Sequence, residues 1–163
     1  MTNIRRYFDE NNVVFTTHVT YQRNPILIKH CDLLIDALAH YEHSLIAWAI
    51  LPDHFHCLLE YHDKSPSNIF RKIKLSFSTN YRRRLGRASG RVWQYRFWDH
   101  IIRNQIDLNS HIDYIHYNPV RHGYVKSPFD WEASSIHAFF AKGYYQRDWG
   151  AQEPSGIIGD FGE

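Results

Sequence analysis

Residues 44–61 read SLIAWAILPDHFHCLLEY, and this stretch decides the fold. Ser44 to Leu51 is an apolar run, Pro52-Asp53 breaks it, and His54 to Tyr61 resumes with the character of a strand. Strands joined by so short a connection pair antiparallel, because a parallel crossover needs about a dozen residues or more. Along the second strand the side chains alternate, so His54 and His56 project to one face while Phe55 and Cys57 turn to the other. Two imidazoles are thereby aimed at one point.

Upstream, residues 13–21 read VVFTTHVTY, with Val13, Phe15, Thr17, Val19 and Tyr21 on one face and Val14, Thr16, His18 and Thr20 on the other, which predicts a first strand. Residues 29–43 carry Leu33, Leu34, Ala37, Leu38 and Tyr41 at helical spacing. Downstream, Ser65-Pro66-Ser67 offers a cap and a first-turn proline for a helix marked by Ile69, Phe70, Ile73, Phe77 and Tyr81 and running to about Leu85. Gly86 to Gly90 reads as a loop, and residues 92–103 (VWQYRFWDHIIR) as a final strand. Asp107 to Asn118 forms a helix with a core stripe of Leu108, Ile112 and Ile115, stopped by Pro119. Tyr114 and Asn118, four apart, share a face beside that stripe, with His111 near them.

Strand, helix, two strands, helix, strand is the order of an α+β ferredoxin-like sandwich, an antiparallel sheet with helices on one face, here followed by a C-terminal helical or irregular extension. With 163 residues, 44% of them hydrophobic and 16% aromatic, the composition supports one core. A single domain is expected over 1–147, and an acidic, pliable tail over 148–163. No stretch approaches the roughly 20 apolar residues of a membrane span, and residues 1–9 lack the apolar centre of a signal peptide, so a cytoplasmic protein without a membrane partner is expected. Cys31 and Cys57 lack metal or redox spacing and are assigned to packing.

A net charge of +2 conceals an asymmetry. Arg71, Lys72, Lys74, Arg82, Arg83, Arg84, Arg87, Arg91, Arg96 and Arg103 fall in a segment whose one acid is Asp99, whereas residues 148–163 hold four acids and no Lys or Arg. The middle of the chain suits a polyanion, and the tail is placed to compete for that surface. Among Trp93, Tyr95, Phe97 and Trp98, most are expected in the core, with one or two facing out where a base can stack.

Three blocks carry a family resemblance. LPDHFH at 51–56, WQYRFWDHIIR at 93–103 and DYIHYNPVRHG at 113–123 resemble the successive signatures of the REP-associated tyrosine transposases, relatives of the single-tyrosine insertion-sequence transposases in the His-hydrophobic-His nuclease superfamily. The match runs in order from about Tyr7 to Trp149. The resemblance implies His54 and His56 as ligands of a divalent metal (Mg or Mn), Asn118 as the third ligand in place of a commoner Gln, and Tyr114 as the nucleophile. It also implies hairpins of repetitive extragenic palindromes as substrate. From the basic residues and the aromatics, Arg71, Lys72, Lys74, Arg82, Arg83, Arg84, Arg87, Arg96, Trp98, Arg103 and Arg121 are candidates for DNA contact. His111 and His122 are candidates for proton transfer. Either a monomer or a homodimer satisfies the sequence.

Read without the family, the residues leave alternatives open. A His-x-His pair is more often two exposed strand histidines, and Asn118 before a proline is a common helix end. A single-stranded nucleic-acid-binding sheet would need neither His54 nor Tyr114. A metal-dependent nuclease activating water would need no tyrosine.

Overall fold

The computed structural model describes residues 12–42 and 44–163. The expectations that fall on residues 1–11, the start of the family match and the N-terminal segment, lie outside these. The elements are β1 (Val13–Val19), α1 (Cys31–Ala39), β2 (Leu45–Ile50), β3 (His54–Glu60), α2 (Pro66–Arg84), β4 (Trp98–Ile101), α3 (Gln105–Arg121) and α4 (Ile136–Ala141). The sheet order is β2-β3-β1-β4, with every neighbouring pair antiparallel. This is the ferredoxin-like arrangement expected from the sequence.

The alternation of β1 and β3 sorts side chains into two layers. Val14, Phe55 and Cys57 join Leu34, Leu38, Phe70, Ile73 and Phe77 in the core beneath α1 and α2. Val13, Phe15 and Leu58 join Ala47, Ala49, Leu108, Ile112 and Ile115 on the opposite face, beneath α3. The sheet is therefore covered on both sides, since the C-terminal extension supplies a second helical layer. Each buried Phe in these layers contributes about 2 to 3 kcal/mol by burial. His18 has taken an aromatic's place in the first core: it is fully buried, stacked 4.6 Å from Phe55, and burial keeps it well below the usual imidazole range.

Two departures from the boundaries read in the sequence bear on the site. Pro119 lies inside α3 and the helix continues to Arg121, because a proline in a last turn forfeits one backbone bond while its fixed φ remains helical. The final strand is shorter than 92–103: β4 begins at Trp98, and Trp93 makes a separate bridge to Thr20. The helices α2 and α3 start at side-chain caps, Ser65 Oγ accepting from Asn68 N at 3.3 Å and Asn104 Oδ1 from Asp107 N at 2.9 Å.

Beyond α3 the chain returns to the sheet. Ser135 binds the backbone of edge strand β2 at Trp48, and His116, buried in α3, lies 2.8 Å from both Ser135 Oγ and Tyr145 Oη. Tyr145 donates to Asp113 at 3.1 Å, and burial raises that carboxyl to about 6. No helix among the described residues is long and apolar enough to cross a membrane.

Candidate active site

β3 presents His54 and His56 on the α3 face of the sheet, and α3 presents Tyr114, Asn118 and His122 at intervals of four. Because the helix carries on through Pro119, His122 at its C-cap extends the stripe begun by Tyr114 and Asn118. The predicted pair and the predicted tyrosine do meet: the Tyr114 and His56 rings are 5.3 Å apart. All of them are covered, with Tyr114 1%, His54 2% and His56 0% exposed. This corrects the expectation that the histidines are exposed strand residues.

What covers them is the segment expected to be a pliable tail. Phe161 stacks face to face on Tyr114, 3.7 Å between centroids at an interplanar angle of 6°. One carboxylate oxygen of Glu163 accepts from Asn118 Nδ2 at 2.8 Å and stands 2.7 Å from His56 Nε2 and 3.3 Å from His54 Nε2. Its other oxygen is 2.9 Å from His122 Nε2. Gly162, at φ +73°, is needed between them: a Cβ there would lie 2.2 Å from Trp98 Cγ. Thus Trp98, a candidate for DNA contact, is in this structure a wall against which the tail runs.

The histidines are oriented from behind. Asp53 Oδ1 accepts from His54 Nδ1 at 2.6 Å, and Thr17 Oγ1, opposite His56 in the β1–β3 register, lies 2.9 Å from His56 Nδ1. Thr17 also donates to the Phe161 carbonyl at 2.7 Å. Both Nε2 atoms are thereby turned into the site. Burial opposes charge on His54, but Glu163 and Asp53 override it and raise that imidazole; burial pushes His56 down to about 4 in spite of Glu163. Burial would raise the Glu163 carboxyl, yet the imidazoles of His122, His54 and His56 around it hold it far below the carboxylate range.

This donor set fits a divalent metal. Two imidazole nitrogens and a carboxamide converge on one point, and His54 Nε2 and Asn118 Oδ1 are buried without hydrogen-bond partners. A rotation of the Asn118 amide would aim its oxygen inward. His122 and Glu163 complete a second possible set with His54.

The remaining predicted residues separate into three places. His111 flanks the site: its Nδ1 lies 2.8 Å from the Asp107 carbonyl, its ring is 5.0 Å from Phe161, and its Nε2 is buried without a partner. Arg121 lies over the Tyr114 ring at 5.7 Å and 3.6 Å from Glu153, and Arg103 contacts Asp107. Arg71, Lys72, Lys74, Arg82, Arg83 and Arg84 are on α2, across the sheet from Tyr114, with Arg87 just beyond it. Arg84 binds Asp32 at 2.9 Å, Arg82 binds the Gly90 carbonyl at 2.9 Å, and Lys74 leans over Trp93 and Phe97. Asp53, Thr17, Phe161 and Glu163 were not singled out by sequence; the strand register would have found Thr17, whereas nothing local marks the tail residues.

A ferredoxin-like sheet bearing a histidine pair, faced by a helix that carries a tyrosine and an amide one turn apart, is the arrangement that the family resemblance implies. Comparison with known proteins agrees: the family described as "Transposase IS200 like" matches residues 12–118. A REP-associated tyrosine transposase of Escherichia coli K12 is 35% identical over 170 residues, covering 99% of this chain and 95% of that one. A solved structure of a REP-associated tyrosine transposase bound to a REP hairpin superposes with a TM-score of 0.76 at 34% identity, covering 100% of this chain and 98% of that one. The chain belongs to the IS200-like transposase family, and it is a DNA transposase.

Proposed function

We propose that this transposase is a metal-dependent single-stranded DNA endonuclease and strand transferase that acts on hairpins of palindromic repeats through a phosphotyrosine on Tyr114. The observation that carries the reading is the convergence of His54 Nε2, His56 Nε2 and the Asn118 amide beside the Tyr114 ring. The hairpin assignment rests on the relative of known structure, which is bound to one. His54, His56 and Asn118 would hold a divalent ion, which would supply positive charge at a phosphoryl oxygen.

The chain's own residues do the rest. The Tyr114 oxygen attacks phosphorus, the bond to the 3′ oxygen breaks, and the tyrosine is left carrying the 5′-phosphate while a 3′-hydroxyl departs. Covalent capture conserves the phosphodiester bond energy, so a second 3′-hydroxyl can reverse the step and join strands. Burial, with the Glu163 carboxylate second, raises the phenol well above its usual range in the covered state. Phe161 lies face to face on the same ring, so the tail seated this way opposes attack. His122, at the open end of the stripe, is the better placed of the two histidines to take a proton, because His111 faces Phe15 and Phe161.

The test is a labelled hairpin with a single-stranded flank, incubated with Mg²⁺ or Mn²⁺ and resolved under denaturing conditions; a covalent protein-DNA band is expected, and cleavage without one would indicate activated water. His54→Ala and His56→Ala are each expected to lower metal-dependent cleavage on the order of 100-fold or more. Calorimetric metal titration of the same variants checks the ligand assignment, and full activity at low metal concentration would refute it.

Arg82, Arg83 and Arg84 are proposed to contact DNA at a distance from the chemistry, across the sheet from Tyr114. Replacing the three should reduce the slope of log affinity against log salt by clearly less than the roughly 2 to 3 units that three phosphate contacts would contribute, since Arg84 is engaged with Asp32. Binding across a salt series measures this directly.

A further inference from the structure

Between the β1–β4 pair of Thr17 with Trp98 and the bridge of Thr20 with Trp93, three steps along β1 face five along the other strand. The surplus is pushed out of the sheet over Gln94 to Phe97, and Tyr95 is left 85% exposed. The ring is nevertheless held. The Arg91 guanidinium lies 3.6 Å from the centre of the Tyr95 ring and 4.4 Å from that of Tyr21. Arg91 is itself fixed, its Nε donating to the Trp93 carbonyl at 3.0 Å.

Tyr21 opens a tight turn in which Gln22 and Arg23 adopt φ of +53° and +51°, values that non-glycine residues seldom take. The turn is anchored toward the active site: Arg23 pairs with Asp53 at 3.1 Å, and Asp53 holds His54. A projecting aromatic-cationic cluster is thus tied to the histidine pair through Arg23 and Asp53. Tyr95 contributes nothing to either core.

We propose that Tyr21, Arg91 and Tyr95 form a seat on which an unpaired base of the DNA strand stacks beside the scissile phosphate. The inference rests on the single-stranded-cleavage reading above. An exposed tyrosine with a guanidinium against it suits a nucleobase, because both planar groups stack on a base's π-face without using its hydrogen-bonding edge. The base must be unpaired, since in a duplex both of its faces are already occupied by its neighbours. Arg96 on the same loop and Arg23 on the turn make the surroundings cationic, as a phosphate backbone requires.

The experiment uses hairpins whose single-stranded flank carries 2-aminopurine at one position at a time. Wild-type protein should quench the probe most strongly at one or two adjacent positions. Tyr95→Phe should preserve this, while Tyr95→Ala should lose it and bind the flanked hairpin about ten-fold or more weakly, with affinity for a hairpin lacking the flank unchanged. Quenching and flank-dependent affinity that are indifferent to Tyr95→Ala would overturn the seat. Formation of the Tyr114 adduct by the wild type separates the two failures: an adduct with no effect of Tyr95 sinks the seat alone, whereas no adduct and no preference for a flank sinks the underlying reading.

Discussion

Tyr114→Phe is expected to eliminate both the covalent adduct and strand cleavage, a loss of at least about 1,000-fold, because the hydroxyl one turn earlier on α3, that of Ser110, is engaged with the Ile158 backbone. The substitution removes one oxygen and keeps the ring. The face-to-face stack with Phe161 and the edge contact with Phe15 are aromatic contacts that survive it, so the melting temperature should hold. Hairpin affinity should also be close to that of the wild type, since binding draws on phosphate and base contacts away from the phenol. Residual cleavage near the wild-type rate would identify water as the nucleophile and reduce Tyr114 to a packing residue. A variant that cleaves nothing and also fails to bind would point to a defect beyond the missing oxygen.

The alternation at His54-Phe55-His56 was legible because strand parity is a local property, and the structure returns it intact: the histidines face α3, while Phe55 and Cys57 face α1 and α2. The spacing of Tyr114 and Asn118 was legible for the same reason on a helix. Pro119 misled, since a helix-breaking residue by local rule is tolerated within the last turn, and its tolerance is what brings His122 into line with the site. The basic run of α2 was legible as charge but not as position. Which face of the sheet a helix covers is set by crossover topology, and α2 lies on the Phe55 side, across from the chemistry. Tyr95 could be read as an aromatic in a strand pattern, but the two-residue surplus that ejects it exists only in the register of β1 against the returning strand. The tail was least legible of all. Gly156, Gly159 and Gly162 read as pliability, whereas Phe161 and Glu163 find their partners in residues more than forty positions away.

That placement changes what an acidic tail does here. The sequence suggested diffuse competition for the basic middle of the chain. The structure instead puts one carboxylate oxygen against His54 Nε2 and His56 Nε2 and one ring over Tyr114, which on the proposed roles of those residues makes the tail a plug. Phe161→Ala and Glu163→Ala, alone and together, are therefore the informative variants, better than truncation after Trp149, which would also remove Ile157 from its packing against the α3 core. If closure is favoured by about 2 to 3 kcal/mol, roughly one molecule in 30 to 150 is open, and releasing the plug should raise single-turnover adduct formation on the order of 10- to 100-fold. The competing assignment makes Glu163 a metal ligand with His54 and His122, a grouping the geometry permits. The two assignments predict opposite signs. A plug that competes with the ion gives tighter apparent metal binding and faster cleavage in Glu163→Ala; a ligand gives weaker binding and slower cleavage. Phe161→Ala breaks any remaining tie, because its ring offers nothing to a metal and its loss can accelerate attack only by uncovering Tyr114. Metal titrations and initial cleavage rates for the three variants decide the matter, and unchanged or slower cleavage in Phe161→Ala would refute the plug.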